Sequence, residues 1–266
     1  MPATDRGYLR DRLAAIVRKA GDIALTASKG PLKRWTKEGS SPVSEADIAV
    51  NDFLATQLPP LVPDAGWLSE ETEDNTARAD ANAVWVVDPI DGTRAYLNQR
   101  ADWTISIALV DAGRPTLAAL YAPVTDELFL AVRGAGATLN GARLKVAAGD
   151  GLGGMHLAGP VRYLNKLAEI NPRVLPQPKV HSLALRFARV ANGELDAAFA
   201  SPNSHDWDLA AADLLVHEAG GTLTDFAGQV LRYNRADTGH GALIAAGPAR
   251  HGELISLLRD RRSEFA

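Results

Sequence analysis

Two aspartates close an apolar run in Trp85–Val86–Val87–Asp88–Pro89–Ile90–Asp91–Gly92–Thr93. Pro89 fixes its φ and removes a backbone donor, so a strand reaching this point does not simply continue. Both carboxylates can then point to one side of a turn. Gly92 permits close backbone approach, and Gly92 and Thr93 could open a helix whose free N–H groups suit a phosphate. Carboxylates beside an anion site repel the anion unless divalent cations lie between them. Magnesium, with oxygen ligands and retained waters, fills that role. Taken alone, Asp91–Gly92 is better read as an ordinary turn pair.

Three further segments add acids. Glu70–Glu71 follows the short apolar Trp67–Leu68; alone, such a pair is more often an exposed acidic loop. Ser44–Glu45–Ala46–Asp47 leads into a helix, and alone it is a plain capping box. Trp207–Asp208 opens an apolar helix, where an acid in the first turn also suits the helix dipole. Each bland reading is the stronger one for its own segment. The occurrence of all four in this order is not plausibly accidental.

Together these segments resemble the inositol monophosphatase superfamily. Asp88–Pro89–Ile90–Asp91–Gly92–Thr93 matches its D-P-[IL]-D-G-[ST] signature, and Trp207–Asp208 with Glu218–Ala219–Gly220–Gly221 matches W-D-x-A-A…E-A-G-G. Glu70–Glu71 matches the acidic pair before the first signature, and Lys37 with Ser41 to Asp47 matches the N-terminal segment. The resemblance covers roughly residues 9 to 247. It implies an α+β / α/β fold of the layered α-β-α-β-α sugar-phosphatase type and a homodimer. It also implies hydrolysis of a phosphate ester on a small metabolite by metal-activated water.

By this resemblance, two or three magnesium ions are expected. One would sit between Glu70, Asp88 and the Ile90 carbonyl, a second would be held by Asp88, Asp91 and Asp208, and a third, weaker one would lie near Glu70. Clustered carboxylates raise one another's pKa, and bound cations reverse this. Thr93 and Asp47 resemble the pair that orients the attacking water, and Glu71 resembles a supporting acid beside the first metal. Gly92 and Thr93 would hold the phosphate, with Asp91, Ser182, Asp208 and Arg232 as further substrate contacts. No covalent phosphoenzyme is expected.

Relatives that act on inositol monophosphate usually carry a glutamate six residues before the Trp–Asp pair. This chain has Ser201 there, and it has His181–Ser182 where Gly–Ser is usual. Ser41–Pro42–Val43–Ser44 and Gly228–Gln229–Val230–Leu231–Arg232–Tyr233–Asn234 resemble segments of the bisphosphate nucleotidase branch, which acts on adenosine 3′,5′-bisphosphate. Arg232, Arg235 or Lys179 could neutralise the second phosphate, although Arg232–Tyr233 reads equally well as a surface hairpin. The expected activity is therefore 3′(2′),5′-bisphosphate nucleotidase. Inositol monophosphate and histidinol phosphate are alternative substrates, and a non-catalytic, partner-binding role is a reading of another class. His205 and His240 read as solvent-facing. A purely structural calcium site would pack more oxygen ligands into one loop.

The positioning elements follow from periodicity. Apolar positions at Leu9, Leu13, Ile16, Val17, Ala20 and Ala24 predict a helix over 7–28. Ser44 starts a second helix, which Pro59–Pro60 stops. Apolar runs at 84–87, 104–110, 117–121 and 128–132 predict a meander, with a turn at Asn140–Gly141. The Gly- and Pro-rich stretch 149–178 reads as a linker or a loop facing the site. Beyond it, helices are expected over 183–191, 207–219 and 248–259, and strands over 195–200, 222–224 and 242–245. This divides the chain into an α+β domain, 1–148, with most of the acids, and an α/β domain, 149–266, that completes the site across a cleft.

The 266 residues include 28 Lys+Arg, 32 Asp+Glu and no cysteine, for a net charge of -4. Disulfides and thiolate chemistry are excluded. No long basic run marks a nucleic-acid partner. No segment approaches the roughly 20 apolar residues that span a bilayer, so no membrane partner and a cytoplasmic location are expected.

Overall fold

Residues 84–87 lie in a strand whose side chains alternate between two faces, as a period of two requires. Val84 and Val86 enter one core, Trp85 and Val87 another. The structure is a computed structural model that describes residues 3–30, 33–36, 42–74 and 76–265. Lys37 and Ser41 lie outside the described residues.

Helix α1 (Ala3–Ala27) is followed by an antiparallel pair, β1 (Arg34–Thr36) and β2 (Pro42–Ser44), and by helix α2 (Glu45–Gln57). A seven-stranded sheet then forms from β3 (Gly66–Ser69), β4 (Ala83–Asp91), β5 (Thr104–Asp111), β6 (Arg114–Ala122), β7 (Glu127–Val132), β8 (Gly136–Leu139) and β9 (Ala142–Arg143), adjacent in that order. β3 is parallel to β4, and the rest is an antiparallel meander. Asn140 and Gly141 both take positive φ between β8 and β9, as a two-residue Asn–Gly turn requires. Helix α3 (Thr93–Leu97) leaves the end of β4.

The second half runs β10 (His156–Ala158), α4 (Val161–Ile170), β11 (Leu175–Pro176), α5 (Leu183–Ala191), β12 (Ala197–Ala200), β13 (Ser204–His205), α6 (Asp206–Glu218), β14 (Thr222–Asp225), β15 (Gly239–His240), β16 (Leu243–Ala246), α7 (Pro248–Asp260) and α8 (Arg262–Phe265). Five strands form a sheet in the order β11-β10-β12-β16-β14, and β13 pairs with β15. The stretch 149–178, expected as a loop, therefore holds two strands and a helix. Its scattered apolar residues decide this: Met155, Leu157, Tyr163, Leu164, Leu167 and Val174 are buried in one cluster with Phe199 and Ile244.

α1 and α2 cover one face of the large sheet, with Leu13, Val17, Val50 and Leu54 in one core with Trp85, Ile105, Ile107 and Ala119. α5 and α6 lie between the sheets. Phe187, Leu209, Ala212 and Val216 share a core with Val86, Ala108 and Leu120 of one sheet and Ala198, Leu243 and Ala245 of the other. α4 and α7 close the outer face of the second sheet through Tyr163, Leu164, Leu254 and Leu258. The result is the α-β-α-β-α layering, and its middle core draws on both halves of the chain. Among the described residues, no helix is long and apolar enough to cross a membrane.

β4 passes through Pro89 rather than stopping there. It reaches Asp91, with its register against β5 shifted between Asp88 and Asp91. Proline cannot donate to the ladder, so the pairing slips at that point.

Candidate active site

The slipped end of β4 delivers Asp91 to the N-terminus of α5. Asp91 Oδ2 accepts hydrogen bonds from Ser182 Oγ at 2.6 Å and from the Ala184 amide at 2.7 Å, and Oδ1 accepts from the Leu183 amide at 3.2 Å. Asp88 Oδ1 accepts from the Ile90 amide at 3.0 Å, whereas the buried Asp88 Oδ2 has no hydrogen-bond partner. Asp208, in the first turn of α6, closes a capping box: its Oδ2 accepts from the His205 amide at 2.6 Å. One oxygen each from Asp88, Asp91 and Asp208 lies within 4.8 Å of the others. Glu70 follows β3 and donates its amide to the Val87 carbonyl at 3.2 Å. The parallel β3–β4 pairing thus brings a fourth acid to the same cleft of about 560 Å³, which Ile90, Gly92 and Thr93 also line.

Burial raises the Asp88 pKa well above the carboxylate range, and the charges of Glu70, Asp91 and Asp208 raise it further. Burial and the Asp91 charge do the same to Asp208. Burial also raises Asp91, against the hydrogen bonds from Ser182, Ala184 and Leu183. A divalent cation turns this mutual repulsion into coordination. An unpartnered buried carboxylate oxygen within an all-oxygen donor set fits magnesium.

A second pair forms beside the cluster. Asp47 Oδ2 accepts from the Ser44 amide at 2.8 Å and the Ser44 hydroxyl at 2.6 Å, while Oδ1 lies 3.4 Å from Thr93 Oγ1. Thr93 Oγ1 is also 3.1 Å from the Ile90 carbonyl. Burial pushes the Asp47 carboxyl up to about 6, with the Glu71 charge adding and the Ser44 hydrogen bonds opposing. Asp47 can therefore take or release a proton close to neutrality. Gly92 makes the corner possible. Its φ is +93°, and a Cβ there would meet Ser182 N at 3.1 Å and the Asp102 carbonyl at 3.3 Å.

Several expected contacts lie elsewhere. Ser182 is fully buried beneath Asp91, 3.0 Å from Thr104 Oγ1, and its hydroxyl accepts from the Leu185 amide at 2.9 Å. It caps α5 and fixes Asp91 instead of facing the cleft. Glu71, expected as a supporting acid and not as a contact, is half-buried outside the cleft lining, and its charge acts on Asp47. Arg232 is exposed beside Gly113, where Asp111 pairs with Ala83. That is the opposite end of β4, about 26 Å from Asp91 at roughly 3.3 Å per residue. Its segment is an anchor. Tyr233 N–H donates to the Gly113 carbonyl at 3.1 Å, the Tyr233 hydroxyl to Asp213 at 3.0 Å and the Asn234 amide to Asp206 at 2.7 Å. Arg235 is exposed and bonds the Gly239 carbonyl. Of the two histidines read as solvent-facing, His240 is buried and His205 is partly exposed. His205 stacks on Trp207 at 4.7 Å, and the buried His240 bonds Asp206 at 2.7 Å.

Lys179 does line the cleft, together with His181 and Arg186. Sequence reasoning misses Arg186, although an arginine inside the apolar run 183–191 was a signal. Its guanidinium donates to the Phe199 carbonyl at 3.0 Å and the Val180 carbonyl at 2.8 Å, and its buried Nε has no partner. Asp102, bonded to His181, carried no signal in the sequence.

A family model described as the inositol monophosphatase family matches residues 8–263. The chain is 30% identical over 258 residues to the Nus factor SuhB of Escherichia coli strain K12, covering 93% of this chain and 94% of that one. It is 30% identical over 234 residues to the 3′(2′),5′-bisphosphate nucleotidase CysQ of the same organism, covering 84% of this chain and 93% of that one. The solved structure of a Thermotoga maritima IMPase matches with a TM-score of 0.83 at 26% identity, covering 96% of this chain and 98% of that one.

Proposed function

This chain belongs to the inositol monophosphatase family of magnesium-dependent phosphatases, and from that premise we propose that it removes the 3′-phosphate of adenosine 3′,5′-bisphosphate. The chemistry rests on one observation above all: Asp88, buried with one carboxylate oxygen unpartnered, clusters with Asp91 and Asp208, one oxygen of each within 4.8 Å of the others. Glu70, Asp88, the Ile90 carbonyl, Asp91 and Asp208 would hold two or three magnesium ions. The chemistry that magnesium would supply there is to make water nucleophilic at neutral pH and to offset charge developing on the phosphoryl and leaving oxygens.

The chain's own groups do the positioning. The Thr93 hydroxyl donates to Asp47 or to the Ile90 carbonyl, which leaves its oxygen to accept from the attacking water. Asp47, poised near 6, receives the proton that passes through Thr93. Gly92 and Thr93 amides at the start of α3 hold the phosphate. The three donors from Ser182, Leu183 and Ala184 keep Asp91 from swinging toward it. Thr93→Ala should lower kcat about 10²- to 10⁴-fold while magnesium affinity, read by titration calorimetry, stays close to wild type.

The nucleotide reading is supported by the CysQ relative and by the basic side chains Lys179 and Arg186 on the cleft wall. It no longer draws on Arg232. The test is phosphate release with magnesium, against an EDTA control, from adenosine 3′,5′-bisphosphate, inositol 1-phosphate and histidinol phosphate. Preference for the nucleotide supports the reading, and preference for inositol phosphate or histidinol phosphate overturns it. Release from none of the three would favour a partner-binding role, the reading that the name of the SuhB relative raises. We infer a cytoplasmic homodimer, which sedimentation of the purified protein would test for assembly.

A further inference from the structure

Asp88 and Asp91 stand on β4 and Asp208 on α6, whereas Glu70 lies just past the end of β3. An acid beyond a strand end needs something other than the sheet to hold it. Its own amide is tied to the Val87 carbonyl at 3.2 Å. The residues on either side of Glu70–Glu71 are both tied to one side chain of α2. Ser69 Oγ donates to Asn51 Oδ1 at 2.7 Å, and Asn51 Nδ2 donates to Thr72 Oγ1 at 3.3 Å. Asn51 and Ser69 are buried, and Thr72 is exposed.

The hydrogens fit this bridge. Ser69 Oγ accepts from the Glu71 amide at 3.2 Å, so its own hydrogen is free for Asn51. Thr72 Oγ1 also accepts from Trp67 Nε1 at 3.2 Å, which with Asn51 fills its two lone pairs. A carboxamide supplies acceptor and donor at once and adds no charge, where a carboxylate would add to the repulsion among the acids. Asparagine disfavours helix interiors, yet Asn51 lies in the middle of α2 and commits both ends of its amide to the loop. It follows Asp47 by four residues, and residues so spaced are neighbours on one helix face. The far end of the loop is anchored separately: the buried Arg78 bonds Asp74 at 2.6 Å and Asn234 Oδ1 at 2.6 Å.

We infer that Asn51 is a positioning residue for magnesium, which presents Glu70 to the cleft by bridging Ser69 and Thr72. This rests on the reading above in which Glu70 is a metal ligand. A ligand group already held in place loses less freedom when the ion arrives. Without the bridge, the turn from Ser69 to Thr72 keeps its anchor at Arg78 but loses the one beside the acids. Groups that orient metal ligands in this way typically alter metal affinity about 10- to 100-fold when removed.

Calorimetric titration of the protein with magnesium reads the effect without turnover. Asn51→Ala should weaken magnesium binding about tenfold. Thr72→Val, at an exposed position, should weaken it in the same direction by less. In a Glu70→Ala background, Asn51→Ala should weaken it little further, because substitutions that act through one group are not additive. Wild-type affinity in Asn51→Ala overturns the inference. A loss of the same size in both backgrounds would show a merely structural role and overturns it too. If Asn51→Ala shows no cooperative melt in EDTA, Thr72→Val decides: a weakened affinity that vanishes in the Glu70→Ala background supports the inference, and wild-type affinity overturns it. Failure of the metal assignment shows differently, as a Glu70→Ala protein that binds magnesium like wild type, and it takes the inference with it.

Discussion

At the scale of single residues, the site is a set of acids that the fold holds at a cost to itself. Asp88 is buried among other carboxylates, with one oxygen unpartnered. Asp88→Asn should therefore raise the melting temperature in EDTA by a few degrees, while abolishing both the stabilisation by magnesium and phosphate release. Thermal melts with and without magnesium read all but the last. Asp47 gives a pH signature. Its folded pKa of about 6 lies above the ordinary aspartate value of 3.8, so the folded state holds a proton that the unfolded chain gives up. That stabilisation is complete below the unfolded value and is lost as pH rises through about 6. Asp47→Asn should leave the EDTA melting temperature almost unchanged at about pH 4, raise it near pH 8, and suppress turnover. The acids were legible because their spacing around Pro89 and in the first turn of α6 is local. Ser182 was misread because its target, Asp91, is 91 positions away along the chain.

At the scale of elements, most helices and strands follow from periodicity, and α5 has the expected bounds of Leu183–Ala191. The exception is 149–178, where Gly and Pro mask a strand–helix–strand unit whose apolar residues meet their partners only across the second sheet. The segment Arg232–Asn234 carries the opposite lesson. Its residue pattern suggested recognition, yet its bonds run to Gly113, Asp213 and Asp206, on β5–β6 and α6. Tyr233→Phe removes a donor from the buried Asp213, which Arg114 then partners alone at 3.8 Å. The expected loss is about 1–3 kcal/mol of stability in urea unfolding, with kcat close to wild type.

At the scale of the molecule, two sheets share one helical layer. α6 presents Ala210, Ala211 and Ala212, all fully buried, in the core common to both sheets. Small side chains let two sheets pack close on one helix pair, a constraint that no single segment of sequence displays. Ala212→Leu should cost about 1–3 kcal/mol through overpacking, read as a lower urea midpoint with an unchanged slope.

The acids reach one another only through this layering. Glu70 comes from the edge of the first sheet, Asp91 is locked by the start of α5, and Asp208 sits on α6. Closing that ring joins positions 70 and 208 of the chain, long-range contacts that form slowly. Metal capture is thus a late event in folding, and no partly folded chain offers the complete set of ligands. In a refolding time course, magnesium protection should appear only with the slowest kinetic phase, after helix and sheet signals have largely recovered.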